Sequence, residues 1–332
     1  MDTRHLEQLL PFVGGVVQGA LPGGPFVSTV LLGDLTGRTP VAVGTAAEAG
    51  LWLGAAHRSV GIRPGQVIVG RSLVLPPPAA HAPPRGVADL VEGIGRTYPP
   101  QPGGPGSAPA GTVEVKQLER PDGTRTWVVT IPGTQEWDPR QVRNPFDVVS
   151  NLHLMARRAD DVTAAVERAM QLAGIPPGEP VVLAGHSQGG IAAAALAADP
   201  DLRGRFDIRA VVTAGSPVAH LAVPPDVATV HLEHRQDPVH ALDARPNPDA
   251  PHRTTAQVDL RAAPDAALRA AAASPVAAHD VEVYARTAAA LEEAGDPGWT
   301  AATAELEDLL AGAATVSTAW FTATRVPTAN RP

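Results

Sequence analysis

Cysteine is absent from the 332-residue chain. That excludes disulfides, thiolate metal sites and a cysteine nucleophile, and leaves the redox compartment open. Aromatic residues make up only 4%, too few for the stacking platforms that hold single-stranded nucleic acid. Positive charge is also short. The formal net charge is -8, whereas a phosphate backbone calls for a basic surface, so nucleic acid is not an expected partner. Lys116 is the only lysine; beside 35 Pro and 32 Gly, the arginine bias reads as GC-rich codon usage and carries no functional weight. Long hydrophobic runs are missing too. The apolar stretch at 9–21 is broken by Pro11, Gly14, Gly15 and Gly19, and no run approaches the ~20 residues that span a bilayer. Asp2 and Glu7 sit where a secretory signal carries its basic region, so a cytoplasmic protein is the default expectation, with unconventional export left open. Neither a His-Glu-x-x-His pattern nor an acidic metal cluster occurs, and neither metal nor cofactor is expected.

What the chain does contain is ordinary for a globular protein: 44% hydrophobic and 18% charged residues, at a length that buries a substantial core. Composition divides it. Residues 1–74 alternate apolar stretches with Gly and Pro, and 43–57 has helical character. Residues 75–111 are rich in Pro, Gly and Ala, with only 87–98 suited to a short helix; proline leaves the rest as loop or linker. The expected organisation is therefore an N-terminal extension over 1–111, packed on the core or linked to it, and a main domain over 112–332.

From Thr112 the pattern changes. Residues 112–118 alternate as a half-buried strand does, Asp122 and Gly123 signal a turn, and 127–131 read as a second strand, so the pair predicts a hairpin. A helix follows over about 160–172, with an Asp cap and Gly174 beyond its end. Residues 181–184 form a short apolar run of the kind found in buried parallel strands, and 191–198 is helical. Further strands are expected at 208–213, 227–232 and 255–260, then an Ala-rich helical tail over 280–310 interrupted near Gly295. Strands alternating with helices predict an α/β fold with a mostly parallel sheet covered on both faces.

The informative run is Val181 to Gly190, in which Gly185, His186, Ser187, Gln188 and Gly189 match Gly-x-Ser-x-Gly between an apolar strand and a helix. A serine in a tight strand-to-helix turn holds its hydroxyl above the sheet edge. Side chains two before and two after would collide with neighbouring strand and helix, which Gly185 and Gly189 avoid. The helix start leaves unpaired N–H groups near a reacting carbonyl, and the amide of Gln188 is the expected first oxyanion donor.

A serine hydroxyl needs a base, and the base needs an acid to hold it. Asp237 follows the strand at 227–232, and His279 lies on a loop immediately before the tail helix. Asp243 competes with Asp237 but lies farther from the strand end, and Glu233 sits inside the strand pattern. His220, His234, His240 and His252 also follow Ser187; His234 and His240 flank the acid too closely to reach between it and the serine. For the second oxyanion donor the loop after 127–131 offers Thr134, with Gly133 and Gln135 as alternatives; Pro132 has no N–H to give.

With these residues in view, the sequence resembles the α/β-hydrolase superfamily, and within it the lipase-like serine esterases whose turn reads Gly-His-Ser-x-Gly-Gly. The resemblance covers about 112–290. It implies an α/β-hydrolase fold, Ser187, Asp237 and His279 as a triad, Thr134 and Gln188 as an oxyanion hole, and a small-molecule or lipid ester as substrate. Thioester cleavage, acyl transfer with the same triad, and a non-catalytic binding role on that scaffold are the alternatives. The interval from Ser187 to Asp237 is nearly filled by a helix and two strands, leaving no room for an inserted cap. Any lid must come from the first 111 residues, from the loop 135–158 or from the tail. Trp137, Asn144, Pro145 and Phe146 in that loop either wall a pocket or pack it down.

Overall fold

The computed structural model describes residues 65–137, 143–243 and 245–326; the expected helix at 43–57 lies outside them. In chain order the larger elements are β1 (Gln66–Arg71), α1 (Val87–Arg96), β2 (Thr112–Glu119), β3 (Arg125–Ile131), α2 (Val148–Met155), α3 (Asp161–Ala173), β4 (Pro180–His186) and α4 (Gln188–Ala198). They continue with α5 (Pro200–Arg203), β5 (Asp207–Ala214), β6 (Ala228–His234), β7 (Arg253–Val258), α6 (Ala266–Ala271), α7 (Pro275–Ala278), α8 (Val281–Ala294), α9 (Pro297–Leu310) and β8 (Thr315–Val326).

Among the described residues eight strands form one sheet in the order β1-β8-β2-β3-β4-β5-β6-β7. From β3 to β7 neighbours run parallel; β1, β8, β2 and β3 pair antiparallel. The fold is thus α/β with a mixed sheet rather than a uniformly parallel one. Local chemistry accounts for the antiparallel join of β2 to β3: Gly123 takes φ of 83° in the turn, and the Asp122 carboxylate accepts the Thr124 amide at 2.9 Å.

Period-two alternation assigns each strand residue to a face. Val129, Ile131, Val181, Leu183 and Val211 turn to one side, where they pack with α3 and α4 through Val162, Val166, Met170 and Ile191. Val128, Val182, Ala184, Val212 and Leu232 turn to the other, against α1, α8 and α9 through Leu90, Ile94, Tyr284 and Leu306. Helix ends follow the sequence signals. The Asp160 carboxylate accepts the Val162 and Thr163 amides at 2.8 Å at the start of α3, and Gly174 ends it with φ of 75°.

α1 falls where the short helix at 87–98 is expected, whereas the strands at 66–71 and 315–326 are not expected from the sequence. Residues 66–71 and 87–96 belong to the same sheet and core: β1 is an edge strand, and Val87, Leu90, Val91 and Ile94 are buried. The expected helical tail ends at α9, after which β8 inserts between β1 and β2. Among the described residues no helix is long and apolar enough to cross a membrane.

Candidate active site

β4 delivers Ser187 to a bend that no ordinary turn would make. Its φ and ψ are 55° and -121°, and among described residues other than glycine it shares a positive φ only with Arg157. Such a conformation costs about 1–3 kcal/mol and persists only where the surroundings enforce it. The surroundings are tight. A Cβ on Gly185 would land on the Gly189 carbonyl, and a Cβ on Gly189 would land on the Ile131 carbonyl of β3. The Ser187 amide donates to the Ala214 carbonyl at 2.9 Å, tying the bend to β5.

The bend brings Ser187 to the two other residues expected beside it. His279 Nε2 lies 3.0 Å from Ser187 Oγ, and His279 Nδ1 lies 2.7 Å from Asp237 Oδ2. A carboxylate can only accept, so Nδ1 carries the imidazole proton and Nε2 is free to accept from the serine hydroxyl. Asp237 is fully paired: Oδ2 also accepts from the Tyr284 hydroxyl at 2.7 Å, and Oδ1 from the Val239 amide at 2.8 Å. Burial pushes the Asp237 carboxyl up. Electrostatic attraction to the His279 ring and the hydrogen bonds from His279, Tyr284 and Val239 outweigh that, and it ends below the usual carboxylate range.

The competing residues are engaged elsewhere. Asp243 accepts the Ala219 amide at 2.7 Å, and burial pushes its carboxyl up. His240 pairs with Glu233 at 3.2 Å, His220 lies 3.1 Å from the Asp243 carbonyl, and His252 lies 3.3 Å from the Val223 carbonyl. His234 donates from Nδ1 to the Ala278 carbonyl at 2.7 Å, behind His279, and stacks on Tyr284 at 3.8 Å.

Three amides were open for the second donor, and the hydrogen bonds separate them. The Gly133 amide donates to the Tyr98 hydroxyl at 2.6 Å, and the Gln135 amide to the Phe146 carbonyl at 2.8 Å. The Thr134 amide, like the Gln188 amide at the start of α4, meets no hydrogen-bond acceptor among the described residues. Both residues are largely shielded from solvent, and Thr134 lines a cavity beside His279. The side chains are used otherwise: Thr134 Oγ1 accepts from Asn151 at 2.6 Å, and the Gln188 amide side chain donates to the Asp147 carbonyl at 2.8 Å.

A cavity of about 640 Å3 opens beside His279, lined by Tyr98, the irregular segment 99–106, Thr134, Trp137 and Val281. That size suits a small organic ligand. Of the four residues expected either to wall a pocket or to pack the loop down, Trp137 lines the cavity, whereas Phe146 is wholly buried in the core. Asn144 ties the loop together through Gln135 and the Phe146 amide. Tyr98, His186 and Tyr284 are the site residues that sequence reading missed. His186 stood inside the motif, but nothing in local pattern marks a tyrosine that meets its partner across the sheet. No protein-family model matches the chain, and no curated protein is detectably similar to it in sequence.

Proposed function

We propose that the protein is a serine hydrolase that cleaves a carboxylic ester through an acyl-enzyme on Ser187. One observation carries the reading: a continuous hydrogen-bonded series from Asp237 through His279 to Ser187, at 2.7 and 3.0 Å, ends at a strained bend beside a cavity. In this mechanism Ser187 Oγ attacks the ester carbonyl while its proton passes to His279 Nε2. The carbonyl oxygen becomes an oxyanion held by the two unpaired amides of Thr134 and Gln188. The alcohol leaves with the proton that His279 carried. Water then gives its own proton to His279, attacks the acyl carbonyl, and frees the acid and Ser187. Asp237 keeps the imidazole in the required tautomer and steadies its positive form. This chemistry needs no metal or cofactor.

The test is covalent. A fluorophosphonate probe should label the wild type at Ser187, and Ser187→Ala should lose both the label and p-nitrophenyl ester turnover, the latter by about ten-thousand-fold or more. A folded wild type that takes no label would sink the reading and leave a non-catalytic binding protein. Turnover of thioesters, or acyl transfer to an added alcohol at the same serine, would redirect the substrate class and keep the nucleophile.

A further inference from the structure

We propose that Tyr98 is a positioning residue that locks the oxyanion loop to the backbone of the general base through His186; this rests on the hydrolase reading above. The argument is one of forced proton directions. The Gly133 amide donates to the Tyr98 hydroxyl at 2.6 Å, so the oxygen of Tyr98 is an acceptor there. That hydroxyl lies 2.7 Å from His186 Nδ1, and His186 Nε2 lies 2.8 Å from the His279 carbonyl. A carbonyl only accepts, so His186 carries its proton on Nε2. Nδ1 is then bare, and Tyr98 must donate to it. Every hydrogen in the series has one place to go: Gly133 N–H to Tyr98, Tyr98 O–H to His186, His186 N–H to the carbonyl of His279.

Burial keeps His186 neutral, lowering it from 6.5 to about 3 with a further push from His279. The relay therefore holds one tautomer. It also demands a glycine at 133, because a Cβ there would strike the Tyr98 hydroxyl and crowd Ser187. Two consequences follow. Gly133 is spent on Tyr98, which leaves the next amide, Thr134, as the loop's free donor. The carbonyl of His279 is clamped, which fixes the backbone from which the imidazole reaches Ser187. Tyr98 also begins the cavity wall at 99–106, whose far end returns through the Ala108 amide to the Tyr98 carbonyl at 3.2 Å.

Removing a single hydroxyl tests this. Tyr98→Phe should fold as the wild type does and keep KM for p-nitrophenyl butyrate within about twofold, while kcat falls about 10- to 100-fold. The inhibition constant of phenylboronic acid, which mimics the tetrahedral state, should rise by a similar factor. Tyr98→Phe combined with His186→Asn should lose no more than the worse single variant, because one relay is broken only once. Unchanged kcat and boronate affinity in Tyr98→Phe would overturn the proposal. So would a kcat loss matched by fewer sites titrated with fluorophosphonate, which is lost protein rather than lost positioning. A wild type that is not labelled at Ser187 sinks the hydrolase reading itself, whereas a labelled wild type with an unaffected Tyr98→Phe sinks only the relay.

Discussion

Gly189 shows how little latitude the bend at Ser187 allows. Its α-carbon faces the Ile131 and Pro132 carbonyls, main-chain atoms of β3 and its following loop that cannot rotate away. Gly189→Ala should therefore destabilise the fold by about 1–3 kcal/mol or more through overpacking, read as a lower urea midpoint. An alanine variant with an unchanged midpoint would show that the turn has slack. The same steric requirement made Ser187 legible from sequence, because the glycines, the strand before and the helix after all lie within one short run. Asp237 and His279 were legible by a weaker rule, the order in which strand ends and loops return to a sheet edge. Tyr98 and Tyr284 were not. Each is a half-polar side chain on or beside a helix with an apolar face, and its use of the hydroxyl depends on a partner brought by a distant element.

At the scale of the element, β8 is the instructive case. Val316, Thr318, Trp320, Phe321, Thr322 and Thr324 are the β-branched and aromatic residues a strand favours, yet the expected helical tail stops at 310 and the sequence reading has no strand beyond it. Its far end carries Arg325, buried between Asp147 and Asp161 and also donating to Ser150 Oγ at 3.0 Å. Burial lowers the guanidinium, but the hydrogen bonds and charges of Asp147 and Asp161 more than restore it, leaving it above its ordinary value. Arg325→Met should leave two carboxylates enclosed without a cation, at a cost of about 3–5 kcal/mol, measurable by denaturant titration. Adding Asp147→Asn and Asp161→Asn should recover part of that loss; no recovery would mean that packing of the arginine stem, not its charge, is what β8 contributes. Asp147 also offers its carbonyl to the side chain of Gln188, so this ion cluster borders the residue that opens α4.

Across the whole molecule, imidazoles are enclosed in numbers that make stability depend on acidity. Burial lowers His186 and His231 to about 3 and His234 to about 4, from 6.5; at His231 the positive charge of Arg253 adds to the effect. His231 has both nitrogens engaged, with Thr213 at 2.7 Å and the Arg253 guanidinium at 2.9 Å. Arginine only donates, so that nitrogen must stay bare. The sign follows from linkage. Below 6.5 the unfolded chain binds a proton at each site that the folded chain refuses, so the stability each contributes is full above 6.5 and is lost as pH falls toward 3 or 4. Asp160 works the other way between about 6 and 3.8, since burial raises its carboxyl to about 6. His231→Gln should flatten the dependence of unfolding free energy on pH between 6 and 4 by one proton, about 1.4 kcal/mol per pH unit. An identical slope in the variant would refute the enclosed neutral state of His231.

The place of β8 between β1 and β2 has a temporal consequence. A ribosome emits β2 and β3 long before the strand that must lie against β2. Until residues 315–326 emerge, β2 leaves a row of amide and carbonyl groups bare along one edge, and β1 has no partner strand among the described residues. The parallel half can assemble as it is made, whereas the antiparallel half must wait for residues 315–326, so the nascent chain passes through a stage in which an open edge invites pairing with other chains.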